Sequence, residues 1–185
     1  MPLYIINIMK LCFTGHRPNS LPFGYDETKK ECIELKQYLY KLIEKCIIEL
    51  NVNHFISGMA LGTDLICAEV VMLLKNKYPY ILLECAIPCK KQYSKWHENQ
   101  KKRYFEILNN VDKITLIQEE YTPECMMKRN RYMISQADYV IAIYTGNKKS
   151  GTYKTIQEAE KKGIGIFIIN PYSLNFDEND LYYGF

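Results

Sequence analysis

Apolar, β-rich runs alternate with amphipathic helical stretches along nearly the whole of this 185-residue chain, and that alternation restricts the possible fold more than any other feature. Short apolar runs predict strands at residues 10–14, 54–57, 80–87, 113–117, 139–144 and 164–169, with Pro88 stopping the third. Within 27–50, Cys32, Leu35, Leu39, Leu42, Ile43, Cys46 and Leu50 recur at helical spacing with Lys and Glu between them, as on a surface helix with one buried stripe. Further helices are expected after the Gly58–Gly62 turn to Leu74, over 90–109, from Pro123 at a first helical position to Gln136, and over 152–162, ending at Gly163. Six strands and five helices in alternation predict an α/β fold, a single domain with one open, mostly parallel sheet and helices on both faces. The polar, aromatic tail after Pro171 is expected to pack along an edge.

Lys plus Arg is 24 and Asp plus Glu is 21, and a net charge of +3 is too small a field to draw in nucleic acid, so anion recognition has to be local. No stretch approaches the roughly 20 apolar residues of a membrane helix, and no membrane partner is expected. The start, MPLYIINIMKLCFTGHRP, carries neither a basic leader region nor a small-residue cleavage site, so export is not expected either. Seven cysteines, Cys12, Cys32, Cys46, Cys67, Cys85, Cys89 and Cys125, sit mostly in apolar patterns as small hydrophobes, which fits a reducing cytoplasm. Cys85, Cys89 and His97 lack the paired spacing of a zinc site, and no metal is expected.

In a parallel sheet, ligands bind beyond the carboxyl ends of the strands, where loops enter helix N-termini. Three loops have that position. In Thr14-Gly15-His16-Arg17-Pro18, Gly15 permits close backbone approach, Arg17 offers a planar fork for phosphate, and His16 can donate or accept; an ordinary capped turn would use the same residues. In Ser57-Gly58-Met59-Ala60-Leu61-Gly62-Thr63-Asp64, two glycines four apart leave room for amides to cradle an anion, with Ser57 or Thr63 adding hydroxyls. Asp64 would repel phosphate and suits a ribose hydroxyl or a backbone bond. This loop is neither a P-loop nor a strict G-x-G-x-x-G.

In the third loop, 144–152, Gly151 and Thr152 stand at a helix start, with Thr152 as cap or phosphate contact and Tyr144 as a partner for a base. Arg129 and Asn130, followed by Arg131, either reach the strand-end crevice or form a solvated helix face. Gln92, Trp96 and His97 are expected on the helix over 90–109. No Ser-His-Asp or Cys-His set emerges from sequence order, which favours binding over catalysis.

These loops, in this order, resemble the YpsA-like family of the SLOG superfamily. The resemblance runs from Cys12-Phe13-Thr14-Gly15-His16-Arg17-Pro18 through the Ser57–Asp64 loop, Ile87-Pro88 with Gln92 and Trp96, and Arg129-Asn130 to Gly151-Thr152, and leaves out the tail after Asn170. It implies a Rossmann-like domain that takes a nucleotide or nucleotide-derived ligand of ADP-ribose, NAD or signalling-nucleotide type, as sensor, regulator or sequestering protein, with no other cofactor. The second loop is similar to that of DNA-processing protein A, a single-stranded-DNA binder. The third is similar to the Gly-Gly-x-Gly-Thr loop of LOG-type phosphoribohydrolases.

Two alternatives follow from these relatives. One is N-glycosidic hydrolysis with Asp64 or Glu158 as the carboxylate. The other is single-stranded-DNA binding on a strip of Lys90, Lys91, Lys101, Lys102, Arg103, Arg129 and Arg131, which interspersed acids and the near-balanced charge disfavour. The hydrolase pattern is incomplete, because Thr155 stands where LOG proteins have glutamate and the Pro-Gly-Gly is absent. A small-molecule nucleotide is the expected partner, and a protein partner or homo-oligomer remains open.

Overall fold

In a computed structural model, which describes residues 8–174, six parallel strands form one sheet in the order β4-β3-β2-β1-β5-β6. The strands are β1 (Met9–Gly15), β2 (Val52–Ser57), β3 (Leu82–Ile87), β4 (Lys113–Leu116), β5 (Tyr139–Ile143) and β6 (Gly165–Ile169). The helices are α1 (Lys30–Glu49), α2 (Thr63–Lys75), α3 (Glu98–Leu108), α4 (Cys125–Gln136) and α5 (Gly151–Lys162), and a short 3-10 turn follows β1 at Pro18–Ser20. The chain walks outward from β1 to the β4 edge, then returns to the other flank of β1 as β5 and ends on β6. That reversal between β1 and β5 is the topological switch point of this Rossmann-like sheet, where strand ends diverge and leave a crevice.

A central parallel strand is buried on both faces, and the sequence of β1 meets that demand. Leu11 and Phe13 enter the larger core with α1, α2 and α3, while Cys12 enters a smaller one with Met133 and Ile134 of α4, Ala137 just past its end, and Ala159 of α5. The expected stripe of α1, from Cys32 to Cys46, is buried. Gly163 ends α5 at a φ of 73°, its N–H reaching the Ala159 and Glu160 carbonyls. Lys162 closes the end of α4 by donating to the carbonyls of Ile134, Ser135 and Ala137 at 2.7, 2.9 and 2.8 Å.

Several expected boundaries move. Asp26 accepts from the Thr28 amide and hydroxyl, which holds the chain in a turn and delays α1 to Lys30. The Ile81 amide donates to the Tyr78 carbonyl in a turn around Pro79, so β3 starts at Leu82 instead of Tyr80. The helix expected over 90–109 exists only from Glu98. Its first third folds into turns that bring Tyr93 against Phe105 and Trp96 against Tyr104, ring centroids 4.8 and 5.4 Å apart. Gln92 and Trp96 therefore lie in those turns, and His97 is the N-cap residue, its amide bonded to Gln100 Oε1. Pro123 precedes the Glu124 cap of α4 and does not occupy its first turn. Of the tail, Pro171 is buried and Leu174 packs against the larger core; residues 175–185 lie outside the described residues.

Under α4 the sheet carries a buried polar cluster. Glu84, 1% exposed, accepts from Tyr132 Oη at 2.6 Å, Thr115 Oγ1 at 2.7 Å and Lys113 Nζ at 3.2 Å, and lies 2.8 Å from His54 Nε2. Burial alone would raise its pKa, but these partners outweigh burial and hold the carboxyl well below the usual carboxylate range. A depressed folded-state pKa contributes stability above the unfolded value, about 4.3, that is lost as pH falls below it. Glu84→Gln is expected to cost about 2–4 kcal/mol at neutral pH, with a gap from wild type that narrows progressively in acid. Urea titrations between pH 7 and pH 3 measure this, and a gap that ignores pH would exclude the carboxylate charge as its source.

Candidate functional site

At the switch point the loops after β1 and β2 interlock. The Thr63 amide and hydroxyl both donate to the His16 carbonyl, at 3.3 and 3.1 Å. This approach needs glycine on both sides. A Cβ on Gly15 would collide with the Thr63 side chain, and one on Gly62, at a φ of 90°, would meet the His16 carbonyl oxygen at 2.8 Å. Within the second loop Ser57 Oγ accepts from the Met59 amide and donates to the Asp64 carbonyl, while Asp64 Oδ2 accepts from the Ala60 amide at 3.2 Å. Met59 is held in the left-handed region at a φ of 57° with its side chain fully buried.

From the opposite face of the sheet, α4 sends Arg129 into this junction. Its guanidinium is buried, donates through Nη1 to the Gly58 carbonyl, and lies 3.7 Å from Asp64 Oδ2. Burial pushes Asp64 up and Arg129 down in pKa, and each charge offsets part of the shift of the other. Arg129 Nε donates to Asn130 Oδ1 at 2.8 Å, Asn130 Nδ2 donates to Thr155 Oγ1 at 3.0 Å, and Thr155 donates to the Gly151 carbonyl at 3.0 Å. A continuous chain of bonds thus links the end of β2 to the first turn of α5.

Above this floor lies a crevice of about 370 Å3 bounded by Thr14, Gly15, His16, Arg17, Ser20, Ala60, Asp64, Met126, Arg129, Asn130, Met133, Asn147, Ser150, Gly151 and Thr152. The size falls within the range of small-molecule sites. Ser150 caps α5, its Oγ accepting from the Tyr153 amide at 3.1 Å, and the Lys154 amide donates to the Ser150 carbonyl. The amides of Gly151 and Thr152, the first two of α5, have no partner within the helix and sit at the positive end of its dipole. Arg17 is exposed, and its guanidinium has no carboxylate partner among the described residues. Its charge reaches both Asp64 and Arg129, lowering the pKa of each.

The first and third loops and the Arg129-Asn130 pair therefore meet at one crevice, as do Ala60 and Asp64. Ser57, Gly58, Met59, Gly62 and Thr63 lie beneath it, in the interlocked floor. Three amides of the second loop, those of Met59, Ala60 and Thr63, are engaged internally and with His16, so this loop supports the crevice floor. His16 is also structural. Burial lowers its pKa, and the neutral ring accepts from the Thr145 amide at 3.1 Å, joining the β1 and β5 loops.

Tyr144 does not line the crevice; its ring stacks with His16 and Tyr153, centroids 5.9 Å away in each case. Ser150, not Thr152, is the cap of α5. Asp64 and Glu158 do not line the same cavity: Asp64 borders the crevice, whereas Glu158 pairs with Arg131 and does not border it. Most of the basic strip is paired with acids: Lys90 with Glu119, Lys101 with Glu98, Lys102 with Glu106, and Arg103 with Glu27 and Glu69. Ser20, Met126, Met133, Asn147 and Ser150 border the crevice without being among the expected site residues, although the Asn147-to-Ser150 spacing carries a turn signal: Asn147 Oδ1 accepts from the Lys149 amide at 3.0 Å.

The model of the YspA SLOG family matches residues 11–174. The chain belongs to that family. Over 165 residues it is 34% identical to the uncharacterized SPbeta prophage-derived protein YoqJ of Bacillus subtilis, covering 82% of this chain and 95% of that protein. A UPF0398 protein of Bacillus thuringiensis is 30% identical over 171 residues, 91% of each chain. Among solved structures, DNA processing protein A (DprA) of Streptococcus pneumoniae superposes with a TM-score of 0.60 at 15% identity, over 93% of this chain and 53% of that one. The SLOG chain thus spans about half of DprA and shares its fold.

In this SLOG domain Gly58 has a use that a cradle would not require. A Cβ there would overlap Arg129, with Cζ at 2.5 Å, and would lie 2.7 Å from Asp64 Oδ2. Gly58→Ala is therefore expected to displace a buried guanidinium and to destabilise the fold by about 2–4 kcal/mol. Thermal melting reads this directly, and a variant that melts like wild type would show that the Arg129 junction tolerates a methyl group.

Proposed function

We propose that the protein binds a nucleotide or nucleotide-derived ligand, of the ADP-ribose, NAD or signalling-nucleotide kind, in the switch-point crevice, and acts as a sensor, regulator or sequestering protein. One observation carries the reading: Gly151 and Thr152, whose amides have no partner within α5, and Arg17, whose guanidinium has no carboxylate partner among the described residues, border the same 370 Å3 crevice. Helix amides with a positive dipole end suit a phosphate, and a guanidinium adds charge-assisted, two-pronged hydrogen bonds. Asp64, on the same crevice, is suited to accept from a ribose hydroxyl. Family membership supports the same ligand class.

Arg17→Ala is expected to weaken binding about tenfold or more, since a hydrogen bond to a charged group contributes roughly 1.5–3 kcal/mol. The loss should be larger for diphosphate than for monophosphate ligands, and melting should change little because Arg17 is exposed. Calorimetric titration with ADP-ribose, NAD and a cyclic nucleotide is the test. Absence of heat with all three would refute the proposal, and an unchanged affinity in Arg17→Ala would remove that residue from the site.

A further inference from the structure

Beside the main crevice, a second cavity of about 170 Å3 opens between the N-terminal turns of α4 and α5. The two share Met126, Asn130 and Gly151 as walls, so they adjoin. Their chemistry differs. One side of the smaller cavity is apolar, formed by Pro123, Met126 and Met127, and the other is the flank of α5 with Lys154, Thr155 and Glu158. Thioethers and a proline ring suit the faces of a planar aromatic group, and methionine adapts its shape to such a group. Lys154 and Glu158 are four residues apart, so on a helix they lie on the same side, one above the other.

We propose that this cavity receives the base of the bound nucleotide and that Lys154 and Glu158 read its edge, favouring a purine whose exocyclic amino group stands beside a ring-nitrogen acceptor, as in adenine. The inference rests on the nucleotide reading of the main crevice. The Glu158 carboxylate accepts from the amino group, and the Lys154 ammonium, which has no carboxylate partner among the described residues, donates to the ring nitrogen. Arg131 Nε, 3.2 Å from Glu158 Oε1, is largely exposed and occupies one carboxylate oxygen, which leaves the other for the ligand. Gly151, common to both cavities, sets the phosphate and base subsites next to one another along the first two turns of α5. Glu158 is here a specificity-determining group, with no part in bond cleavage.

Calorimetric titration of the full chain with four probes tests this: AMP, purine riboside 5′-phosphate, which has hydrogen in place of the amino group, GMP, and ribose 5-phosphate. AMP is expected to bind about tenfold or more tightly than purine riboside 5′-phosphate, and ribose 5-phosphate more weakly than either. Glu158→Gln, a near-isosteric change at a partly exposed site, is expected to erase most of the AMP preference while leaving ribose 5-phosphate affinity and melting unchanged. Ribose 5-phosphate binding as well as AMP would overturn the base cavity and leave the phosphate site standing. So would an AMP preference that survives Glu158→Gln, and GMP binding more tightly than AMP would overturn the adenine assignment. If none of the four probes binds, and ADP-ribose and NAD also fail, the underlying nucleotide reading falls with it.

Discussion

The buried guanidinium of Arg129 is the constraint on which the rest of the site depends. It is carried by α4 on one face of the sheet, yet its Nη1 donates to the Gly58 carbonyl in the β2–α2 turn and its counter-charge is Asp64 in the first turn of α2. A charge taken out of water is costly unless paired and hydrogen-bonded, so α4, the turn and the first residues of α2 are bound to one relative position. Asn130 and Thr155 extend that restraint to α5. The crevice walls are thereby set by the fold itself, which would limit the ordering cost of binding a ligand there.

The glycines serve this constraint in an unforeseen way. In glycine-rich nucleotide loops the missing side chain lets a phosphate approach the backbone. Here Gly15 admits the Thr63 side chain, Gly62 admits the carbonyl of His16, and Gly58 admits Arg129. The close approach is between parts of the protein. Gly151 differs, having open space at its Cβ position, and it borders the crevice.

This distinction explains what the sequence could and could not reveal. Strand order of appearance, the α1 stripe and the Gly163 helix stop are local patterns, and period and turn chemistry expose them. The gathering of the Thr14–Arg17 loop, the Arg129-Asn130 pair and Gly151-Thr152 at one edge followed from parallel topology and the family resemblance. Local sequence could not say whether Arg129 was solvated or buried, because its partners lie 71 and 65 positions away. The turns over 90–96 were likewise hidden. Lysines there read as a helix face, whereas the packing of Tyr93 and Trp96 on Tyr104 and Phe105 required the chain to double back.

Charge is distributed so that positive charge lies on the rim of the crevice and not on its floor. Arg129 and Asp64 offset one another, and His16, with its pKa lowered by burial, stays neutral at pH 7. Among the described residues that border the crevice, the Arg17 guanidinium has no carboxylate partner, and it stands with the N-terminal end of α5 as a positive element on the rim, one from the β1 loop and the other from the β5 loop. An anion held between them would bridge the strands on either side of the topological reversal, where the backbone bonds of the sheet no longer connect the loops. Thr155 fits this division. A glutamate there would place a negative charge one turn from the α5 amides and take away the hydroxyl that accepts from Asn130 and donates to the Gly151 carbonyl. A hydroxyl at that position keeps the first turn of α5 tied to Arg129 while leaving its electrostatic field free for a ligand.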